Sequence, residues 1–319
     1  MKRIEWIDNA KGLGILFVII AHVINHTQTF MSASTLIYTF HMPLFFILSG
    51  FTLSEKTLSL NVKQLISKYA KTLVIPYFVY TFANMLLHTL TNNSYSLAVL
   101  KQHAYSLFFL HGWKATWFLS TLFFTLIFTI ILIRHIPNKY LLFSGTCLVS
   151  LAMTHFGIYL PYIFKVFVLA IIAIPFVVFG HMMHMDKLRG IIESRFVAFI
   201  SLGVIFLSAY FNGKIDFVWY QFGRSSIVWL LSGIVGSLSI FAVARYVRSS
   251  FLAKIGRNSM IIMCIHQIIM FNLHRVICKF TPNHFLRFSA LMVSTIFFTL
   301  LFCPVVDRIY STVYSKIFK

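Results

Sequence analysis

Residues 3–50 read RIEWIDNAKGLGILFVIIAHVINHTQTFMSASTLIYTFHMPLFFILSG, two apolar segments joined by a short polar turn, each with a histidine well inside its hydrophobic run. Lys11 and His22 are separated by about three helical turns, roughly 16 Å of rise on nearly one face. The second segment runs back the other way. It carries His41 about seven residues, roughly 10 Å, from the end facing the turn, and His22 lies at a similar depth below it. On antiparallel helices the two imidazoles can converge on one pocket, with the Lys11 cation at the opposite mouth. That arrangement suits a reaction conducted across a bilayer.

The rest of the chain supports a bilayer setting. Of its 319 residues 59% are hydrophobic and 11% charged, well short of the quarter or so charged in soluble domains. Apolar runs predict an all-α polytopic membrane protein with ten spans, at about 12–29, 34–54, 73–91, 115–133, 140–157, 161–183, 196–211, 225–244, 258–274 and 286–306. The whole of 1–319 reads as one transmembrane domain, with no soluble domain attached and no internal repeat. The net charge of +20 would suggest nucleic acid in a soluble protein. Here the cations sit in short loops, so topology and anionic lipid account for them and no nucleic-acid partner is expected. Assigned alternately to two sides, 19 of the 27 Lys and Arg fall with the N-terminus. By the positive-inside rule both termini and the loop 55–71 are then cytoplasmic.

The basic N-terminus resembles a signal peptide, but Glu5, Asp8 and Lys11 interrupt it and no A-x-A site follows, so the first helix is expected to stay uncleaved. Cys147, Cys264, Cys278 and Cys303 are scattered, without the close spacing of metal or redox sites, and read as packing residues with no metal held. The one long outward segment, 92–114, is too polar to span and too aromatic for a free linker. Tyr95, Tyr105, Trp113 and Trp117 there serve as interfacial anchors or as a wall for a sugar.

The opening run RIEWIDNAKGLGILFVIIAH resembles the Arg/Lys-x10-His signature of the membrane-bound acyltransferase-3 family, and FHMPLFFILSG its second-helix motif. Asp8, Lys11-Gly12, His22 and His41-Met42-Pro43 together resemble the fucose 4-O-acetylase-like branch. Downstream, KYAKTLVIPYF, TWFLSTL and IGRNSMIIMCIHQ resemble later family motifs, so the likeness covers most of the chain. It implies an O-acyltransferase, an O-acetyltransferase by branch, of the bacterial inner membrane. Such an enzyme takes acetyl-CoA as donor substrate, holds no bound cofactor, and modifies a hydroxyl of a cell-surface polysaccharide or its lipid-linked precursor.

Residue roles follow from that chemistry. Transfer to a sugar hydroxyl needs a proton acceptor, and burial favours the neutral, accepting imidazole. His22 fits as base and His41 as a second catalytic or positioning group; the alternative for each is a histidine bridging helices by hydrogen bonds. No acid lies in the outer half of either helix to orient them. Lys11 and Arg3, with Lys68 and Lys71 of the next cytoplasmic loop, can form a cationic mouth for the donor's phosphates, or else simply mark topology. Many members carry arginine where Lys11 stands, and Lys11 can instead pair with Asp8. Trp117 is a candidate sugar wall, and the resemblance adds His266 as a pocket-lining residue. Ser49 reads as a close-packing residue. The same ten spans and histidines also describe a transporter relaying protons along a sugar path, though neither repeated halves nor broken helices are evident. A multi-span scaffold is the third reading.

Overall fold

Inside a bilayer each backbone amide must be satisfied within the protein, and an apolar run does this by closing its own helical hydrogen bonds. The computed structural model describes residues 4–92, 96–185, 195–247 and 249–317, helical almost throughout. In order the helices are α1 (Glu5–Thr27), α2 (Met31–Tyr38), α3 (His41–Phe51), α4 (Glu55–Leu58), α5 (Val62–Tyr69), α6 (Ile75–Asn92), α7 (Leu97–Phe108) and α8 (Trp117–His135). They continue as α9 (Lys139–Phe156), α10 (Lys165–Met185), α11 (Arg195–Asn212), α12 (Ser226–Tyr246), α13 (Ser250–Arg257), α14 (Ser259–Phe280) and α15 (His284–Ile317). A two-stranded antiparallel hairpin, β1 (Ile215–Asp216) and β2 (Gln221–Phe222), pairs Ile215 with Phe222 and lies between α11 and α12.

Among the described residues nine helical stretches are long and apolar enough to cross a membrane, and nine of the ten expected spans fall on them. The remaining one, 196–211, falls on α11, whose apolar part Phe199–Asn212 is shorter. The chain is an all-α polytopic membrane protein.

Two expectations need correction. The second span is a broken helix: α2 ends at Tyr38 and α3 begins at His41. Pro43 explains the break, because it has no N–H for the Thr39 carbonyl and its ring collides with that carbonyl in a continuous helix. The third span starts earlier than residue 73. Asn61 caps α5 by accepting from the Gln64 amide, and the Gln64 side chain accepts from the Asn61 amide, both at 2.9 Å. The helix then passes through a π-helical stretch, Ala70–Val74, just before Pro76, which again cannot donate upstream.

The main core cluster is built by α1, α3, α8, α10, α12 and α14, with Ile15, Phe46, Phe176, Trp229, Phe241 and Ile262 fully buried, and a smaller one joins Leu142 of α9 to Ile174, Val178 and Met182 of α10. α3 and α10 touch backbone to backbone. A Cβ on Gly50 would overlap the Val177 carbonyl, and one on Gly180 the Ile47 carbonyl, so neither position admits a larger residue without moving a helix. α9 and α15 keep most of their apolar surface outward, as lipid-facing helices do.

Polar residues between helices bond across them. Thr81 Oγ1 donates to Thr116 Oγ1 at 2.8 Å, Ser150 Oγ to the Ile172 carbonyl at 2.9 Å, and Asn84 Nδ2 to the Cys264 carbonyl at 2.8 Å.

Candidate functional site

The break before α3 has a consequence for His41. As the first residue of α3 it turns Nδ1 back onto the Ile37 carbonyl of α2, 3.1 Å away. A carbonyl only accepts, so Nδ1 carries the proton and the neutral ring keeps its lone pair on Nε2. His266 on α14 is held the same way, Nδ1 donating to the Ile262 carbonyl at 2.9 Å, and is fully buried.

His22 is held differently. Its Nδ1 lies 3.0 Å from Gln267 Nε2 and 3.5 Å from the Tyr38 hydroxyl, and its ring centroid is 5.3 Å from that of His266. Gln267 Oε1 is buried without a partner. With its NH₂ toward Nδ1, the amide makes His22 an Nε2–H donor; turned over, its carbonyl accepts Nδ1–H and leaves Nε2 free to take a proton.

His22 and His41 both line a cavity of about 380 Å³, as their matched depths predict. Trp117 lines it too, its ring stacked on Phe217 at 5.7 Å. His266 stands behind His22. Lys11, Lys68 and Lys71 do not line this cavity. Lys11 lies three turns away along α1, where Gly12 and Gly256 press α1 against α13: a Cβ on either would overlap a carbonyl of the other helix. Lys68 Nζ donates to Thr57 Oγ1 at 2.6 Å, and Lys71 is exposed. Arg3 and Tyr95 fall outside the described residues. Ser49 Oγ donates to the Phe45 carbonyl at 2.8 Å, a packing contact.

Several lining residues escape sequence reasoning. The segment after α7 turns inward through Leu110, Gly112 and Lys114, all with positive φ (60°, 75° and 57°). Left-handed backbone at the two non-glycine residues costs about 1–3 kcal/mol each and persists only where surroundings impose it. Here the Tyr77 hydroxyl donates to the Ser106 carbonyl at 2.9 Å and accepts from Gly112 N–H at 3.0 Å, and Ser120 Oγ donates to the Leu110 carbonyl at 2.7 Å. The turn brings His111, Trp113 and Lys114 to the cavity wall. Trp113, expected as a membrane anchor or a sugar wall, packs against His88 and His103 at 5.0 and 4.6 Å on the cavity wall. Burial lowers the pKa of His111.

The β-hairpin supplies the acid that the outer halves of the first two spans lack. Asp216 lines the same cavity, and its Oδ1 accepts from Val218 N–H at 3.2 Å. Burial raises its pKa, opposed by the Trp219 and Val218 amides and by Lys214 and Lys165. Lys165 Nζ lies 4.8 Å from the Trp219 ring centroid on the same wall. The chamber thus combines three imidazoles, one acid, two lysines and three indoles.

A family model described as an acyltransferase domain matches residues 4–304. The chain belongs to the acyltransferase-3 family. No curated protein and no solved structure matches it. As a membrane acyltransferase it must bring a donor and an acceptor together, and the matched region includes every element that forms the chamber. In this acyltransferase the signal for Lys114, Gln267 and Asp216 was weak, since each lies in a segment remote in sequence from His22 and shows no periodicity of its own. HGWKATW, with a cation between two indoles and a glycine just before them, was the most legible of the missed features.

Proposed function

We propose that the protein is an O-acetyltransferase of the bacterial inner membrane, with both termini cytoplasmic, that transfers acetyl from acetyl-CoA to a hydroxyl of a surface glycan or its lipid-linked precursor. The observation that carries this reading is the convergence of His22 and His41 on one chamber with indole walls, inside a chain of the acyltransferase-3 family.

In the proposed reaction the sugar packs its C–H faces on Trp117 and Trp219. With the Gln267 amide turned over so that its carbonyl accepts Nδ1–H, His22 removes the proton of the attacking hydroxyl through Nε2. The oxygen forms a bond to the acetyl carbonyl carbon, the thioester C–S bond breaks, and the proton leaves with the CoA thiol. His41, oriented by the Ile37 carbonyl, positions the acceptor or shuttles that proton. Donor phosphates are expected at the cytoplasmic mouth near Lys11, with Arg3, Lys68 and Lys71 as further candidates. The transporter reading gains nothing from the family match, and the helix break that would favour it also serves to orient a catalytic histidine.

The test uses purified protein with acetyl-CoA labelled in the acetyl group, together with surface polysaccharide from cells with and without the gene. Slow donor hydrolysis or label transfer, and O-acetyl groups lost with the gene, are expected. Absence of both would overturn the reading.

A further inference from the structure

Beside the catalytic chamber lies a second cavity, of about 260 Å³, whose polar lining is mostly basic: His26, His88 and His274 with Lys114 and Arg275. No carboxylate lines it. The His26 and His274 rings sit 4.2 Å apart, and His26 Nε2 is buried without a hydrogen-bond partner. Arg275 is held in place by donating Nη1 to the Thr91 carbonyl at 2.9 Å, and Lys114 Nζ lies 4.2 Å from the Phe271 ring centroid. Two exposed cationic side chains and three imidazoles, with no acid among them, make this cavity a concentration of positive charge that draws an anion. A guanidinium, an ammonium and imidazole N–H groups are the donors that a phosphate accepts from.

The cavity opens two ways. It shares Lys114 and Phe271 with the chamber that holds His22 and His41. On its other side it shares Ile268 and Asn272 with an apolar groove of about 310 Å³, which shares Leu87 and Phe302 with a further apolar groove of about 570 Å³. These grooves follow α6, α14 and α15 as far as Ile75 and Ile309. From Thr91, at the cationic cavity, to Ile75 is about 24 Å along α6. One leaflet of a hydrocarbon core about 30 Å thick is only about 15 Å deep. The track is therefore longer than the leaflet that an ordinary phospholipid tail occupies.

We infer that this continuous track is the binding site for a long-chain polyprenyl phosphate lipid. Its phosphate sits among Lys114, Arg275 and the three histidines, its isoprenoid tail lies in the groove along α6, and the sugar attached to the phosphate enters the chamber past Lys114 and Phe271. The assignment of that sugar as acceptor rests on the acetyltransferase reading; the lipid site itself does not.

The test is direct binding to the purified full-length protein in detergent, by native mass spectrometry, with four probes: a long-chain polyprenyl phosphate, the unphosphorylated polyprenol, phosphatidylglycerol and inorganic phosphate. Polyprenyl phosphate is expected to bind roughly tenfold or more tightly than each of the other three. Arg275→Gln should weaken polyprenyl phosphate roughly tenfold and leave polyprenol unchanged, whereas Leu87→Trp, at an exposed groove position with little folding risk, should weaken both. Phosphatidylglycerol binding as tightly would make the track ordinary boundary-lipid surface, and polyprenol binding as tightly would remove the phosphate site. Inorganic phosphate binding as tightly would make it a free-anion site, and unchanged lipid binding in both variants would place the lipid elsewhere. Lipid binding as expected with no acetyl transfer would sink the acetyltransferase reading and leave the lipid site standing.

Discussion

Gln267 on α14 sets its side-chain amide 3.0 Å from Nδ1 of His22 on α1, so a residue 245 positions away controls which nitrogen of that imidazole can accept a proton. Substitutions separate the two amide orientations. Gln267→Glu presents only acceptors to Nδ1, and if His22 acts through Nε2, kcat should be kept or raised. Gln267→Leu removes the orienting group and should lower kcat about tenfold or more with donor binding retained. Steady-state turnover of both purified variants checks this. A dead Glu variant of normal thermal stability would show that Nδ1 must accept, and would move the base from His22 to His41.

His41→Gln should reduce transfer while the protein still folds, since an amide keeps part of the hydrogen-bonding capacity of the ring. The structure adds that the lost contact is to the Ile37 carbonyl, at the break between α2 and α3. Expression level and melting temperature in detergent are expected to match wild type. Loss of the protein from the membrane would assign His41 to bridging those helices instead.

What could be read from the sequence divides along physical lines. Span positions were legible because hydrophobicity and helical length are properties of contiguous residues, and α1 shows both. Convergence of His22 and His41 was legible because depth follows from residue count on two successive helices. Gln267, Lys114 and Asp216 were not, since they reach the chamber from α14, from an inward loop and from a hairpin, and no local pattern reports which distant segments meet. The helix break lay in view as Pro43, but its effect falls on Thr39, a turn earlier, inside an otherwise uninterrupted apolar run. Trp113 stayed open between anchor and wall because an indole near a span end has the same sequence signature whether it faces lipid or a cavity.

Gly180→Ala tests the contact between α3 and α10. The added methyl would meet the Ile47 carbonyl, which belongs to a helix backbone and cannot swing aside as a side chain could. Overpacking of this kind typically costs about 1–3 kcal/mol. A clear fall in melting temperature is expected, whereas Gly145→Ala, with open space around it, should change little. Equal stability of the two variants would contradict the close approach.

Acid lability is expected from His111. Its folded-state pKa is depressed by burial below the ordinary 6.5, so its contribution to stability is present above about pH 6.5 and is lost as pH falls through the lower folded value. Melting temperature should therefore drop on acidification below that point, and His111→Phe should flatten part of the slope. An unchanged slope in the variant would assign the acid sensitivity to other groups.

The last prediction concerns the division of labour between Lys11 and His22, which lie about 16 Å apart along α1 and cannot touch the same reacting atom. If Lys11 binds donor phosphate at the inner mouth, Lys11→Ala removes a charge-assisted contact made equally in ground and transition states. KM for acetyl-CoA should rise with kcat nearly unchanged, and Lys11→Arg should restore much of the activity because the attraction to phosphate survives the swap. If His22 is the base, His22→Ala should lower kcat by a factor of about 10² to 10⁴ while donor binding persists, the usual effect of deleting a positioned proton acceptor. Acetyl-CoA binding and turnover measured on both variants separate the roles. Full turnover without His22 would end its assignment as base. Unchanged donor affinity without Lys11 would move the phosphate site to Lys68 and Lys71, of which Lys71 is the more available, because Lys68 already donates to Thr57.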